Sequence, residues 1–259
     1  MATQGVITLV SGWLGEAADF DPLLRALASE AGSPPAHIVH EVAGLGARYR
    51  EEPQSVEDAA EDLLASAPRG SLLCAYSLGA RIALTAAVRA PQHFSEVIVC
   101  GVHPGLATEA ERRLRLDVDE ARARAFEENP HAFLAGWHAQ ELFTGLQTAP
   151  DFAALAERRT ALAGDADRVR ASALVLRRLS LGTQRPLWSD LATVPHLQVI
   201  VGAEDHKFVA LAERMQVHAP QTLRVQLVAG VGHAILTQAP EQLALVLRAC
   251  LARSSDRGD

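Results

Sequence analysis

Short apolar runs alternate with amphipathic stretches along most of this chain. Val6–Val10 (VITLV) is a β-rich run ended by Ser11-Gly12. Asp21–Ala31 places apolar residues at helical spacing, with Asp19 or Asp21 as N-cap and Pro22 in the first turn. His37–Val42 reads as a second strand. Ser55–Ala67 reads as a helix whose first turn carries Glu57 and Asp58, where the helix dipole favours acids. Ser71–Tyr76 is a third strand, Leu78–Arg89 a small-residue helix and Glu96–Gly101 a fourth strand. Leu197–Gly202 and Leu223–Val228 follow much later, then a helix from Gln238 to Ala252. This alternation predicts an α/β fold with a mostly parallel sheet covered by helices on both faces.

The alternation stops between Gly105 and Arg185. That stretch is helical in pattern throughout, so it is expected to be a cap inserted over the C-terminal edge of the sheet. The expected division is a core of 1–104 and 186–259 and a helical cap of 105–185. Ser254–Asp259 reads as a frayed tail.

Composition narrows the function. The 259 residues carry a net charge of −7, which disfavours general nucleic-acid binding and an anionic membrane surface. No apolar run reaches membrane-spanning length, and the N-terminus lacks the basic and apolar regions of a signal peptide. A soluble cytoplasmic protein is expected, monomeric or homo-oligomeric, with no nucleic-acid or membrane partner. Cys74, Cys100 and Cys250 form no zinc or disulfide spacing and read as reduced core thiols. Lys207 is the only lysine.

The stretch Cys74–Arg81 (CAYSLGAR) carries the chemistry. Ser77 follows a strand and opens a helix, the context of a nucleophile elbow, although Ala75 stands where G-x-S-x-G has its first glycine. A plain serine N-cap fits the same pattern. An acid and a histidine after later strands decide for catalysis. Asp205 follows LQVIVG, with Glu204 as the fallback acid, and His233 follows LRVQLVAGVG. His206 beside Asp205 reads as exposed. Backbone N–H groups of Leu78 and of Trp13, in the loop after the first strand, are placed to form an oxyanion hole. Trp13 reads equally well as a pocket wall or a core residue.

At this point the chain resembles the α/β-hydrolase-fold proteins. More narrowly, it resembles the 2-succinyl-6-hydroxy-2,4-cyclohexadiene-1-carboxylate synthases of menaquinone biosynthesis. The resemblance rests on AYSLGAR (75–81), HPGL (103–106), TEAERRLRLDVDE (108–120), FLAGWHAQELF (133–143), LSLGTQRPLW (179–188), GAEDHKF (202–208) and GVGHAILTQAP (230–240). It implies a C–O lyase that eliminates pyruvate from a cyclohexene enolpyruvyl carboxylate, without metal or organic cofactor. Ser77, activated by His233 and oriented by Asp205, would then abstract a ring proton. The small anionic substrate calls for cations. The resemblance assigns substrate binding to Tyr76, Arg81, Arg115 with its neighbour Arg112, Trp137, Arg159 or Arg158, and Lys207. A solvated cap face is the plain alternative for the cap arginines, and plain cap core for Trp137.

Departures leave other readings open. Ser11-Gly12-Trp13 replaces the family's His-Gly-Phe, and Glu41-Val42-Ala43-Gly44-Leu45-Gly46 replaces D-x-P-G-H-G. The first hairpin usual in the fold is expected to be absent or shortened. A carboxylesterase or thioesterase with Ser77 as nucleophile, and a non-enzymatic ligand-binding member of the fold, are the competing readings.

Overall fold

The structure is a computed structural model that describes residues 5–28 and 32–256. Six parallel strands form one sheet: β1 (Ile7–Val10), β2 (His37–His40), β3 (Leu72–Tyr76), β4 (Glu96–Cys100), β5 (Leu197–Gly202) and β6 (Leu223–Val228). Their order is β2-β1-β3-β4-β5-β6, with β3 and β4 central. Parallel strands need crossovers, and the crossovers put helices on both faces. Accordingly β1, β3 and β4 are buried along their whole length. The second strand is two residues shorter than the pattern predicts.

One face is covered by α2 (Val56–Ser66), α3 (Leu78–Arg89) and α8 (His206–His218), the other by α1 (Asp21–Ala28) and α10 (Pro240–Asp256). A short α9 (Ile235–Gln238) precedes α10. Ser55 caps α2 by accepting from the Asp58 N–H at 3.0 Å. Asp19 does not cap α1. It sits in a 3-10 turn, Ala17–Phe20, and arginines of the cap occupy its carboxylate. The predicted part of α1 at 29–31 lies outside the described residues. The expected tail from Ser254 is corrected in part, because α10 carries helix to Asp256.

Between β4 and β5 lie α4 (Glu109–Glu128), α5 (Pro130–His138), α6 (Phe152–Ala163) and α7 (Ala166–Arg178), with no strand among them. Thr108 and Glu111 form a reciprocal capping box that starts α4. Leu14, Phe126, Leu134, Leu162 and Ala173 give these helices an apolar cluster of their own, joined to the core by Trp13. Among the described residues, no helix is long and apolar enough to cross a membrane.

Candidate active site

The sharp turn from β3 into α3 places Ser77 at φ 54° and ψ −111°, a conformation that side-chain-bearing residues rarely adopt. The turn holds because its neighbours are small. A Cβ on Gly79 would lie 2.3 Å from the Ser11 carbonyl oxygen, and one on Gly12 3.2 Å from the Ser77 Cβ. Ala75 needs no such freedom. It is an ordinary buried strand residue, paired with Val10 and Val99 and without positive φ.

The three residues singled out after separate strands converge at the C-terminal edge of the sheet. Ser77 Oγ lies 3.1 Å from His233 Nε2, and His233 Nδ1 lies 2.7 Å from Asp205 Oδ2. Asp205 also caps α8, its Oδ1 accepting from the Phe208 N–H at 3.3 Å. Its two oxygens thus tie the helix start to the imidazole. With Nδ1–H donating to Asp205, the lone pair of Nε2 faces the serine hydroxyl. Both His233 and Asp205 are buried. The rings of Tyr76, Phe143 and Phe208 pack around the imidazole. Gly101 is obligatory beside it, since a Cβ there would come within 2.5 Å of His233 Cε1. The His233 N–H donates to the Leu142 carbonyl at 3.0 Å, which ties the histidine loop to the segment after α5. Glu204 and His206 are exposed.

Ser77 opens on a cavity between the sheet edge and the cap. Leu78, Trp13 and Trp137 line it, with Arg81, Arg115, Arg122 and Lys207 as its cations and Asp119 as its carboxylate. Asp119 is buried and aims the arginines: it accepts from Arg115 Nε at 2.7 Å, Arg122 Nη1 at 3.1 Å and Ser180 Oγ at 2.8 Å. Arg81 donates to Gln184 Oε1 and to the Leu179 carbonyl, both neutral acceptors. Burial, and then Arg115, pull its pKa down. Lys207 stands at the mouth, its pKa lowered by the protein packed around it and by Arg115 and Arg122. His103 lines the same cavity and accepts from the Gly105 N–H at 3.1 Å through Nδ1. Burial, with Lys207 and Arg81 next, holds its pKa down at about 3. His103 is therefore a neutral imidazole with its proton on Nε2.

Tyr76 and Arg159 line a smaller neighbouring cavity on the other side of Trp13 and Trp137. Arg159 Nη2 pairs with Asp19 Oδ2 at 2.5 Å; Arg158, more exposed, pairs with Asp19 and Glu16. Arg112 lines neither cavity. Its guanidinium donates to the Leu106 and Ala107 carbonyls and fastens the loop that enters the cap. His103, Asp119, Arg122 and Gln184 are the site residues that sequence reasoning passed over. Three of them stand inside segments that the resemblance quoted, HPGL, TEAERRLRLDVDE and GTQRPLW; Arg122 had no signal beyond its Arg-rich helix.

The altered turn has a local explanation. Gly44 and Gly46 both have positive φ, and a Cβ on Gly46 would strike the Glu41 carboxylate. That carboxylate accepts from the N–H groups of Ala17 and Ala47, at 3.0 and 2.9 Å, and knits the turn to the loop after β1. Ser11 is buried, with its hydroxyl in the space a Cβ on Gly15 would fill.

A parallel sheet with an elbow serine and a Ser–His–Asp chain at its C-terminal edge defines an α/β hydrolase. The chain belongs to the alpha/beta hydrolase family, whose model matches residues 9–245. Among curated relatives, it is 38% identical over 180 residues to the 2-succinyl-6-hydroxy-2,4-cyclohexadiene-1-carboxylate synthase of Serratia proteamaculans (strain 568), covering 68% of this chain and 66% of that protein. It is 26% identical over 270 residues to the chloroplastic protein PHYLLO of Arabidopsis thaliana, covering 97% of this chain and 16% of that protein. The chain thus spans just under two thirds of the bacterial relative and about a sixth of the plant one. The solved structure of MenH from S. aureus superposes with a TM-score of 0.82 at 21% identity, covering 98% of this chain and 96% of that one. At that identity the likeness establishes the fold.

Proposed function

We propose that this chain is a C–O lyase that eliminates pyruvate from a cyclohexene carrying an enolpyruvyl ether and carboxylates. One observation carries the reading. The hydroxyl of Ser77, within reach of His233, opens on a cavity edged by four cations against one carboxylate. A hydrolase for neutral esters has no use for Arg81, Arg115, Arg122 and Lys207 around its serine. A polyanionic substrate needs them. The relatives named as synthases support the same choice.

The steps balance without water. The ring C–H breaks and its proton passes to Ser77 Oγ as the serine's own proton moves to His233 Nε2. The C–H electron pair becomes the new ring double bond, and the ring C–O bond breaks. Enolpyruvate leaves with that bond's electrons, takes the proton held on His233 and tautomerises to pyruvate. Asp205 stabilises the imidazolium that exists in between. The Leu78 N–H, first in its helix and without an intrahelical partner, and the Trp13 N–H stabilise the negative charge that develops on the substrate.

The test supplies the enolpyruvyl precursor and follows pyruvate release with a coupled dehydrogenase. Release is expected, abolished in Ser77→Ala and strongly weakened in Arg115→Ala. No release, together with fast hydrolysis of p-nitrophenyl esters and a trappable acyl-serine, would establish the hydrolase reading instead.

A further inference from the structure

The cavity beside Ser77 holds, among its cations, one neutral imidazole, that of His103. His103 sits on the loop that leaves β4, two residues past Gly101 and two before Gly105. The segment returning from the cap holds this loop. The Pro104 carbonyl accepts from the Leu187 N–H at 2.7 Å, and the Gly105 carbonyl from Trp188 Nε1 at 2.9 Å. Gly105 has φ 113°, and a Cβ there would lie 2.6 Å from Pro186 Cα. The loop so fixed turns the Gly105 N–H onto His103 Nδ1 at 3.1 Å. A ring nitrogen that accepts an N–H carries no proton itself, so the imidazole proton is on Nε2. That Nε2–H has no acceptor among the described residues. Burial first, and then Lys207, Arg81, Arg115 and Arg214, keep the ring from taking a second proton.

A fixed, neutral N–H without an acceptor suits an oxygen that is uncharged in the substrate and charged in the transition state. The cations serve a different purpose. They hold carboxylates equally in substrate and transition state, which lowers KM without raising kcat. A neutral N–H gains little from an ether oxygen. Its hydrogen bond roughly doubles in strength as that oxygen takes on charge, so the gain falls on the transition state. We infer that His103 is a further catalytic residue, whose Nε2–H donates to the ether oxygen as the ring C–O bond breaks and the enolate forms. No proton changes hands in this contact: the N–H bond stays intact, and the enolate takes its proton from His233. The inference rests on the lyase reading, which supplies the leaving oxygen.

Two substitutions divide the work of the imidazole. His103→Asn puts an amide oxygen near the place of Nδ1, so it keeps the acceptor for the Gly105 N–H and loses the donor. His103→Gln brings an amide N–H near the place of Nε2, so it keeps the donor and leaves the Gly105 N–H without its acceptor. Steady-state pyruvate release from the enolpyruvyl precursor and thermal melts are measured on both. His103→Asn is expected to lower kcat about a hundredfold with little change in KM, while His103→Gln keeps at least about a tenth of the wild-type kcat. The melting temperatures should rank the other way, with the Gln variant the lower. Activities that follow the melting temperatures would make His103 a fastener of its loop and overturn the inference. An Asn variant with unchanged kcat, or with only a raised KM, overturns it too and leaves the lyase reading standing. A wild type that releases no pyruvate removes the lyase reading, and the inference with it.

Discussion

Arg81 and Gln184, 103 residues apart in sequence, meet across the base of the cavity at 3.0 Å, Nη1 to Oε1. The partner is an amide, so the arginine is held in place without being neutralised. Gln184→Glu would supply a buried counter-ion and take away the charge offered to substrate. Under the lyase reading its KM is expected to rise at least about tenfold, with a smaller change in kcat, while the melting temperature holds or rises. Steady-state pyruvate release and thermal unfolding read the two effects separately.

Ser77 holds positive φ at some conformational cost. Ser77→Ala and Ser77→Gly lose the same hydroxyl, but only glycine relaxes the backbone. The glycine variant should be more stable than the alanine variant by about 1 kcal/mol, measured by denaturant unfolding. Equal stabilities would show that the turn is not strained.

Asp119 is a buried carboxylate with three side-chain donors around it. Asp119→Ala strands Arg115 and Arg122 and should destabilise the fold by about 3 kcal/mol. Asp119→Asn keeps the size and half the acceptors, so it should fall between. Urea midpoints at constant m-value decide.

His103 gives the fold an acid-side weakness. Its folded pKa, about 3, lies far below the ordinary histidine value of 6.5. Between those values the unfolded chain binds the proton and the folded chain does not, so stability rises with pH through that window. The contribution is complete above about pH 6.5 and is lost progressively as pH falls. His103→Asn keeps an acceptor for the Gly105 N–H and does not titrate. Its melting temperature should fall less than that of the wild type between pH 7 and pH 5.

Ala75→Gly would restore the usual elbow motif, yet the strand gains nothing from a glycine there. Loss of a buried methyl and added chain entropy should cost about 1 kcal/mol or more, and under the lyase reading pyruvate release is retained. Thermal melts of the two proteins side by side measure it.

The hydrophobic pattern was enough for the sheet: β1 and β3 are buried along their whole length and show as unbroken apolar runs, while the edge strands β2 and β6 are partly exposed and carry polar residues yet keep a β-rich pattern. The Ser77, Asp205 and His233 loops were legible because each opens at the C-terminal end of a readable strand, β3, β5 and β6. The cap was legible only as helix. Its arginines repeat every few residues along α4, and the pattern cannot say which of Arg112, Arg115 and Arg122 faces inward. That depends on Asp119, whose burial is a property of the assembled cap. The partition of Tyr76 and Arg159 into a second cavity depends likewise on where Trp13 and Trp137 meet.

Trp13 has two jobs at opposite ends of one residue. Its indole is pinned to Ser172 on α7, while its main chain stands beside the elbow, one residue past Gly12. Any swing of α7 tugs at the loop that carries the Trp13 N–H. Under the lyase reading, in which the Trp13 N–H serves the serine, the position of α7 and the electrostatic readiness of Ser77 are then set by one and the same residue.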